Sequence, residues 1–224
     1  MSIINWFVKK KEKPHGIVTN YKGNVVAWTL HGEDADCYMY EYGKSDDRPD
    51  CCQFCNNSLI QIPNKGVLIT RGKWDIAATY DGYYVISEKF CNFLKDNNYS
   101  NLRIIPLERS KGLYFFDPMD LFALDYELYG TKFINKRECC GSYDEVIRPP
   151  IIKAKDYKIE SNDFIMKAEY LFGSYNHKGP VIIVGTETAK KMKAYGLKGL
   201  YFEKIYDSKG LKIIKKEVEG FILD

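Results

Sequence analysis

Two stretches of the chain share one pattern of apolar and polar positions. The first runs Tyr83-Tyr84-Val85-Ile86-Ser87-Glu88-Lys89-Phe90, then Phe93-Leu94-Lys95, then Leu102-Arg103-Ile104-Ile105-Pro106-Leu107. The second runs Val181-Ile182-Ile183-Val184-Gly185-Thr186-Glu187, then Met192-Lys193, then Leu200-Tyr201-Phe202-Glu203-Lys204-Ile205. Each opens on a β-branched and aromatic run, which predicts a strand. Ser87 and Thr186 are the expected helix N-caps, because a hydroxyl accepts orphan backbone N–H groups. The glutamate after each suits the positive helix end. Asn97-Asn98 and Gly196 are the expected stops. A second strand closes each unit, giving strand–helix–strand twice. An aspartate beside an aromatic precedes both units, in Trp74-Asp75-Ile76 and Asn162-Asp163-Phe164.

The remaining chain reads as β-rich. Residues 16–30 predict a hairpin turning at Lys22-Gly23-Asn24. Residues 37–42 alternate, with Tyr38, Tyr40 and Tyr42 expected on one strand face. Residues 113–116 and 132–134 are further strands. Arg148-Pro149-Pro150 breaks the pattern. The predicted fold is α+β: β-rich, with two similar strand–helix–strand units and a cysteine-metal knot between them. Residues 1–148 form an N-terminal part holding the first unit and both cysteine clusters. Residues 149–224 hold the second unit, and the two parts are subdomains of one fold.

Composition adds little to the class but something to the surface. A 45% hydrophobic and 28% charged chain is an ordinary globular one. A net charge of +3 gives no argument for a nucleic-acid partner. Local charge is less even, since seven acids crowd residues 33–50 against only Lys44 and Arg48. With 18 tyrosines in the chain, this stretch predicts a face for a basic protein partner, built from Asp34, Asp36, Tyr38, Tyr40, Tyr42, Asp46 and Asp47. The alternative is that these tyrosines cover the protein's own core and the acids keep an edge soluble. The apolar patch within residues 1–13 is too short for a signal core or a membrane span. The expectation is a cytoplasmic, reduced protein with no membrane partner.

Five of the seven cysteines fall in two clusters, Cys51-Cys52-Gln53-Phe54-Cys55 and Cys139-Cys140-Gly141. Cys52-x-x-Cys55 has the spacing of half a tetrahedral zinc site. Cys139 and Cys140 are the candidate other half, although Arg137 stands where a matching Cys-x-x-Cys would begin. A zinc held by Cys52, Cys55, Cys139 and Cys140 would pin together segments 84 positions apart in sequence, from Cys55 to Cys139. Buried free thiols are the alternative. The odd cysteine count and the absence of a secretory opening argue against disulfides.

Catalytic chemistry finds no footing. His15, His31 and His177 are far apart and in no ligand spacing. There is no Gly-x-Ser-x-Gly elbow. Asp117 and Asp120 read as caps, and Cys91 lies in an apolar run that predicts burial.

One known group shows this combination. The CxxC-type cluster, the unit Val85-Ile86-Ser87-Glu88, the later Cys140-Gly141 and the ending Gly196-Leu197-Lys198-Gly199-Leu200-Tyr201-Phe202 resemble the double-CXXCG-motif immunity proteins of bacterial polymorphic toxin systems. The resemblance spans residues 51–206. Asn56 stands at the first motif's glycine and Arg137 at the second motif's first cysteine. The resemblance implies a small cytoplasmic protein that binds and neutralises a cognate toxin without catalysis. Two other readings compete: a zinc-containing nucleic-acid binder, which needs a concentrated basic surface, and an enzyme using a cysteine such as Cys140 as nucleophile.

Overall fold

The computed structural model describes residues 15–40 and 48–219, the side chains of 15–19 and 215–219 excepted. In chain order the described residues form β1 (His15–Lys22), β2 (Val25–His31), β3 (Glu33–Asp34), β4 (Ile76–Ala78), β5 (Tyr84–Ser87), α1 (Glu88–Asp96), β6 (Leu102–Pro106) and β7 (Leu113–Pro118). There follow α2 (Tyr126–Tyr129), β8 (Lys132–Lys136), β9 (Tyr143–Ile147), β10 (Ile152–Lys153), β11 (Ile165–Ser174), β12 (His177–Gly185), α3 (Thr186–Ala194), β13 (Tyr201–Asp207) and β14 (Lys212–Glu219). The fold is α+β and β-rich. None of the described helices is long and apolar enough to cross a membrane.

The two strand–helix–strand units have one topology. A five-stranded sheet runs β3-β4-β5-β7-β6, and a seven-stranded sheet runs β10-β13-β2-β12-β11-β9-β8. Within them, β4-β5-β7-β6 and β11-β12-β2-β13 are equivalent runs, antiparallel at every step. In each, a third strand separates the two strands that flank the helix. That strand is β7 in the first unit, which follows directly as a hairpin. In the second it is β2, which comes from the start of the chain. The seven-stranded sheet therefore joins β2, β8 and β9, before residue 149, to β10–β13 after it.

Both central strands are buried on two faces, which their unbroken apolar runs encode. On β5, Tyr84 and Ile86 enter a core shared with α1 and α3, while Val85 enters a second core with Met39, Ile69, Trp74 and Phe115. On β12, Ile182 and Val184 enter the shared core, while Val181 and Ile183 face a third, with Phe122 and Phe164. Phe93 of α1 and Tyr195 after α3 meet edge to face, with ring centroids 5.3 Å apart.

The helix starts differ from the sequence expectation in one unit. Ser87 caps α1, its Oγ accepting from Phe90 N–H and donating to Asp75 at 2.7 Å. In the second unit Gly185 is the cap and makes no side-chain bond, and Thr186 is already helical. Thr188, one turn into the helix, takes over the role. Its Oγ1 accepts from Phe164 N–H at 2.8 Å and donates to Asp163 at 2.9 Å. A hydroxyl and a carboxylate thus hold the helix to the start of the preceding strand, β4 or β11, in both units, with the second pair displaced along the chain.

Three local readings are corrected. Residues 16–30 do not pair as a hairpin: β1 lies against β14 and β2 against β13. Asn24 O accepts Asp207 N–H at 2.8 Å, so the turn signal marks a break between strands whose partners are at the other end of the chain. Residues 37–40 are irregular, with bends at Cys37, Met39 and Tyr40, and form no strand. The buried Asp81 carboxylate captures Met39 and Tyr40 N–H at 2.8 and 3.1 Å, which replaces ladder pairing. Asp117 caps nothing; it is buried between Arg103 and Lys167, each 2.7 Å away.

Candidate metal centre

The two cysteine turns are built alike. Residues 52–57 close the isolated bridge between Cys51 and Ser58, and residues 137–142 join β8 to β9. In the first, Asn56 N–H donates to Cys52 O at 2.8 Å, and Cys52 N–H to Asn57 O at 2.9 Å. In the second, Gly141 N–H donates to Arg137 O at 2.8 Å, and Arg137 N–H to Ser142 O at 2.7 Å. Asn56 and Gly141 are both left-handed, with φ of 57° and 73°. Position by position, Cys52 matches Arg137, Cys55 matches Cys140 and Asn56 matches Gly141. Asparagine is among the few residues with a side chain that adopt this conformation readily.

The sulfurs converge. Cys52 Sγ lies 3.8 Å from Cys139 Sγ, and Cys55 Sγ lies 3.6 Å from Cys140 Sγ. All four lie within 4.8 Å of one another. A tetrahedral site with metal–sulfur bonds of ~2.3 Å has sulfur–sulfur edges of ~3.8 Å. The cluster has the ligand type, number and spacing to hold a metal ion. Cys139 supplies from the third position of its turn the ligand that Arg137 does not supply from the first. Cys51, next to the cluster in sequence, lies outside it, and burial pushes its thiol up to about 11.

Electrostatics favours thiolate at one position. Backbone N–H groups of Phe54 and Cys55 point at Cys52 Sγ and bring its pKa down to about 7. The hydrogen bond with Cys55 pushes Cys139 up to about 12.

Neighbouring elements fix both turns. The buried Asp144 carboxylate of β9 accepts Arg137 Nε at 2.7 Å and Asn57 Nδ2 at 2.9 Å, so one side chain ties the turns together. The Arg137 guanidinium holds that carboxyl down near 2. Tyr175, between β11 and β12, donates its N–H to Asp144 O and accepts Ser58 N–H on its carbonyl. Upstream of the first turn, Arg48 donates to both oxygens of the buried Asp50, and Tyr83 O–H donates to Asp50 as well. Asp144 carried one sequence signal, the inward position of an alternating strand, where a carboxylate must find partners.

The other predicted residues do not form one face. Asp34 and Asp36 are exposed, with Asp34 accepting Asp36 N–H at 2.8 Å. Tyr38 is half-buried against Tyr80 and His177, with ring centroids 5.1 and 5.7 Å away. Tyr40 turns inward: its O–H donates to Ile62 O at 2.8 Å, and its ring packs on the second core under Arg48. Tyr42, Asp46 and Asp47 lie outside the described residues. Cys91 is buried in the shared core, as its apolar setting predicts. Compared with protein-family models and with curated proteins, the chain matches none.

Proposed function

We propose that this chain is a non-catalytic immunity protein, which binds and neutralises a cognate bacterial toxin in the cytoplasm and carries a structural zinc. The observation behind this reading is the pair of matching turns, whose four cysteines converge although 84 positions separate Cys55 from Cys139. Those turns and the two equivalent units are the features on which the resemblance to double-CXXCG-motif immunity proteins rests. The left-handed Asn56 does the conformational work of that motif's glycine.

Cys52, Cys55, Cys139 and Cys140 would hold the zinc. Four thiolates suit a zinc ion and leave no open position for a substrate, which is the pattern of structural rather than catalytic sites. Bound there, the ion supplies a cross-link between the first turn and the β8–β9 hairpin. Toxin recognition falls to the exposed carboxylates of Asp34 and Asp36 with the ring of Tyr80, which is 49% exposed. Carboxylates there speed encounter with a basic surface, and the tyrosine supplies contact area.

The test is co-expression with the toxin encoded beside this chain in its source genome. Restored growth and a complex that survives purification are expected. Charge reversal at Asp34 and Asp36 should weaken that complex with thermal stability nearly unchanged. Absence of both binding and protection, with nucleic acid retained on the purified protein, would favour the nucleic-acid reading instead.

A further inference from the structure

Lys178, the second residue of β12, is a buried cation without a counter-ion. It is 1% exposed. Its Nζ donates to Tyr143 O at 2.6 Å and to Ser142 Oγ at 3.2 Å, both neutral acceptors. Among the described residues no carboxylate comes within ion-pair distance of it. Asp144, the acid that acts on it most strongly, is already engaged by Arg137. Burying an ammonium without an opposite charge costs several kcal/mol after relaxation, so proteins rarely keep one. Removing it would be simple, because leucine or methionine would fill the same space.

The same lysine stands beside the cysteine cluster. Ser142 closes the second turn and Tyr143 directly follows it. Lys178 and Cys140 line one cavity of about 370 Å³ together with Ser58, Ser142 and Glu169. Desolvation pulls the lysine's pKa down, and the groups pulling it back up are Asp144, then the sulfurs of Cys140, Cys55 and Cys51. A divalent ion with four thiolates carries two net negative charges. A centre of that kind near the surface of a protein core needs a cation as much as Lys178 needs an anion.

We infer that Lys178 is the charge partner of the metal–thiolate centre, a positioning residue that acts through Ser142 and the backbone of Tyr143 and raises the affinity of the site for a divalent metal. This rests on the zinc reading above. It adds that the ion pair here is between an ammonium and a metal complex instead of a carboxylate. It also explains why a lysine sits in a strand that is otherwise Val181-Ile182-Ile183-Val184 at its centre. Outer partners of metal sites change affinity by about 10- to 100-fold when removed.

The experiment uses the full chain and zinc itself, titrated in competition with a chromophoric chelator. Lys178→Met removes the charge and keeps the volume, and Lys178→Gln removes the charge and keeps a donor for Tyr143 O. Zinc affinity is expected to fall by about 10-fold or more in both variants. The cobalt-substituted protein should keep its four-thiolate spectrum, since the ligands do not move. The melting temperature of the chelator-treated protein should not fall, since without the metal the lysine is an unpaired buried charge. Unchanged zinc affinity in both variants, or a loss confined to Lys178→Met, would overturn the charge role. So would unfolding of both variants under chelator conditions that leave the wild type folded. If the wild type itself binds no zinc, it is the zinc reading that fails.

Discussion

Asn56 and Gly141 occupy the same place in the two cysteine turns, with φ of 57° and 73° and matching N–H bonds back to Cys52 O and Arg137 O. By sequence they look unlike, and Asn56 reads as a departure from a glycine motif. By geometry they are equivalent, because asparagine tolerates the left-handed region that other side chains avoid. Asn56→Gly should therefore leave stability nearly unchanged. Asn56→Ala should cost about 1 kcal/mol, a fall of roughly 2–4 °C in melting temperature for a chain of this size. Thermal unfolding of the two variants measures this, and equal losses from both would mean that the asparagine side chain matters beyond its backbone preference.

The helix caps separate two ways of aligning the units. Ser87→Ala should cost about 1–2 kcal/mol, because Ser87 both caps α1 and bonds Asp75. Thr188→Ala should cost about 1 kcal/mol or more, because Phe164 N–H and Asp163 lose their shared hydroxyl. Thr186→Ala should stay within about 0.5 kcal/mol, since Thr186 makes no cap bond. Denaturant unfolding of the three variants reads the order, and a large loss at Thr186 would restore the alignment drawn from sequence.

Much of the frame was legible in local pattern. The runs at 84–87 and 181–184, the glutamates behind them and the stops at Asn98 and Gly196 each follow from short-range chemistry. Asn98 and Gly196 are indeed left-handed, with φ of 56° and 72°. What stayed hidden depends on distant partners. No local signal shows that β2 inserts between β12 and β13, or that β1 pairs with β14. The tyrosine alternation failed over residues 37–40 because Asp81, 42 residues beyond Met39, takes the backbone N–H groups of Met39 and Tyr40. All four cysteines of the cluster were named from sequence, but the geometry that joins them was not legible there. Spacing identified Cys52 and Cys55. The joint use of Cys139 and Cys140 depends on a turn held by Asp144 and Asn57, neither of which has a metal-ligand signature.

The network around Arg48 anchors the first turn to Tyr83, the residue before β5, and breaking it should be expensive. Arg48 pairs with Asp50 at 2.7 Å, and both side chains are almost wholly buried. Arg48→Met leaves Asp50 as a buried carboxylate whose remaining side-chain donors are the Tyr83 hydroxyl and the weak Cys51 thiol. A loss of about 3–5 kcal/mol is expected by chemical denaturation. Tyr83→Phe removes the bond donated to Asp50 and the one accepted from Arg48 at 3.1 Å but keeps the ion pair, so it should cost less, about 1–3 kcal/mol. The reverse order would place the weight on the tyrosine.

The metal content of the protein tests the central claim most directly. Protein expressed without a metal-chelating tag is purified from cells and its zinc measured by elemental analysis, alongside Cys55→Ser. A single zinc per wild-type chain is expected, with little or none in the variant. Alkylation of Cys52, Cys55, Cys139 and Cys140 should be slow until a chelator is added. A metal-free wild type, with those four thiols alkylated as fast as the remaining thiols of the Cys55→Ser variant and no change on adding chelator, would contradict it.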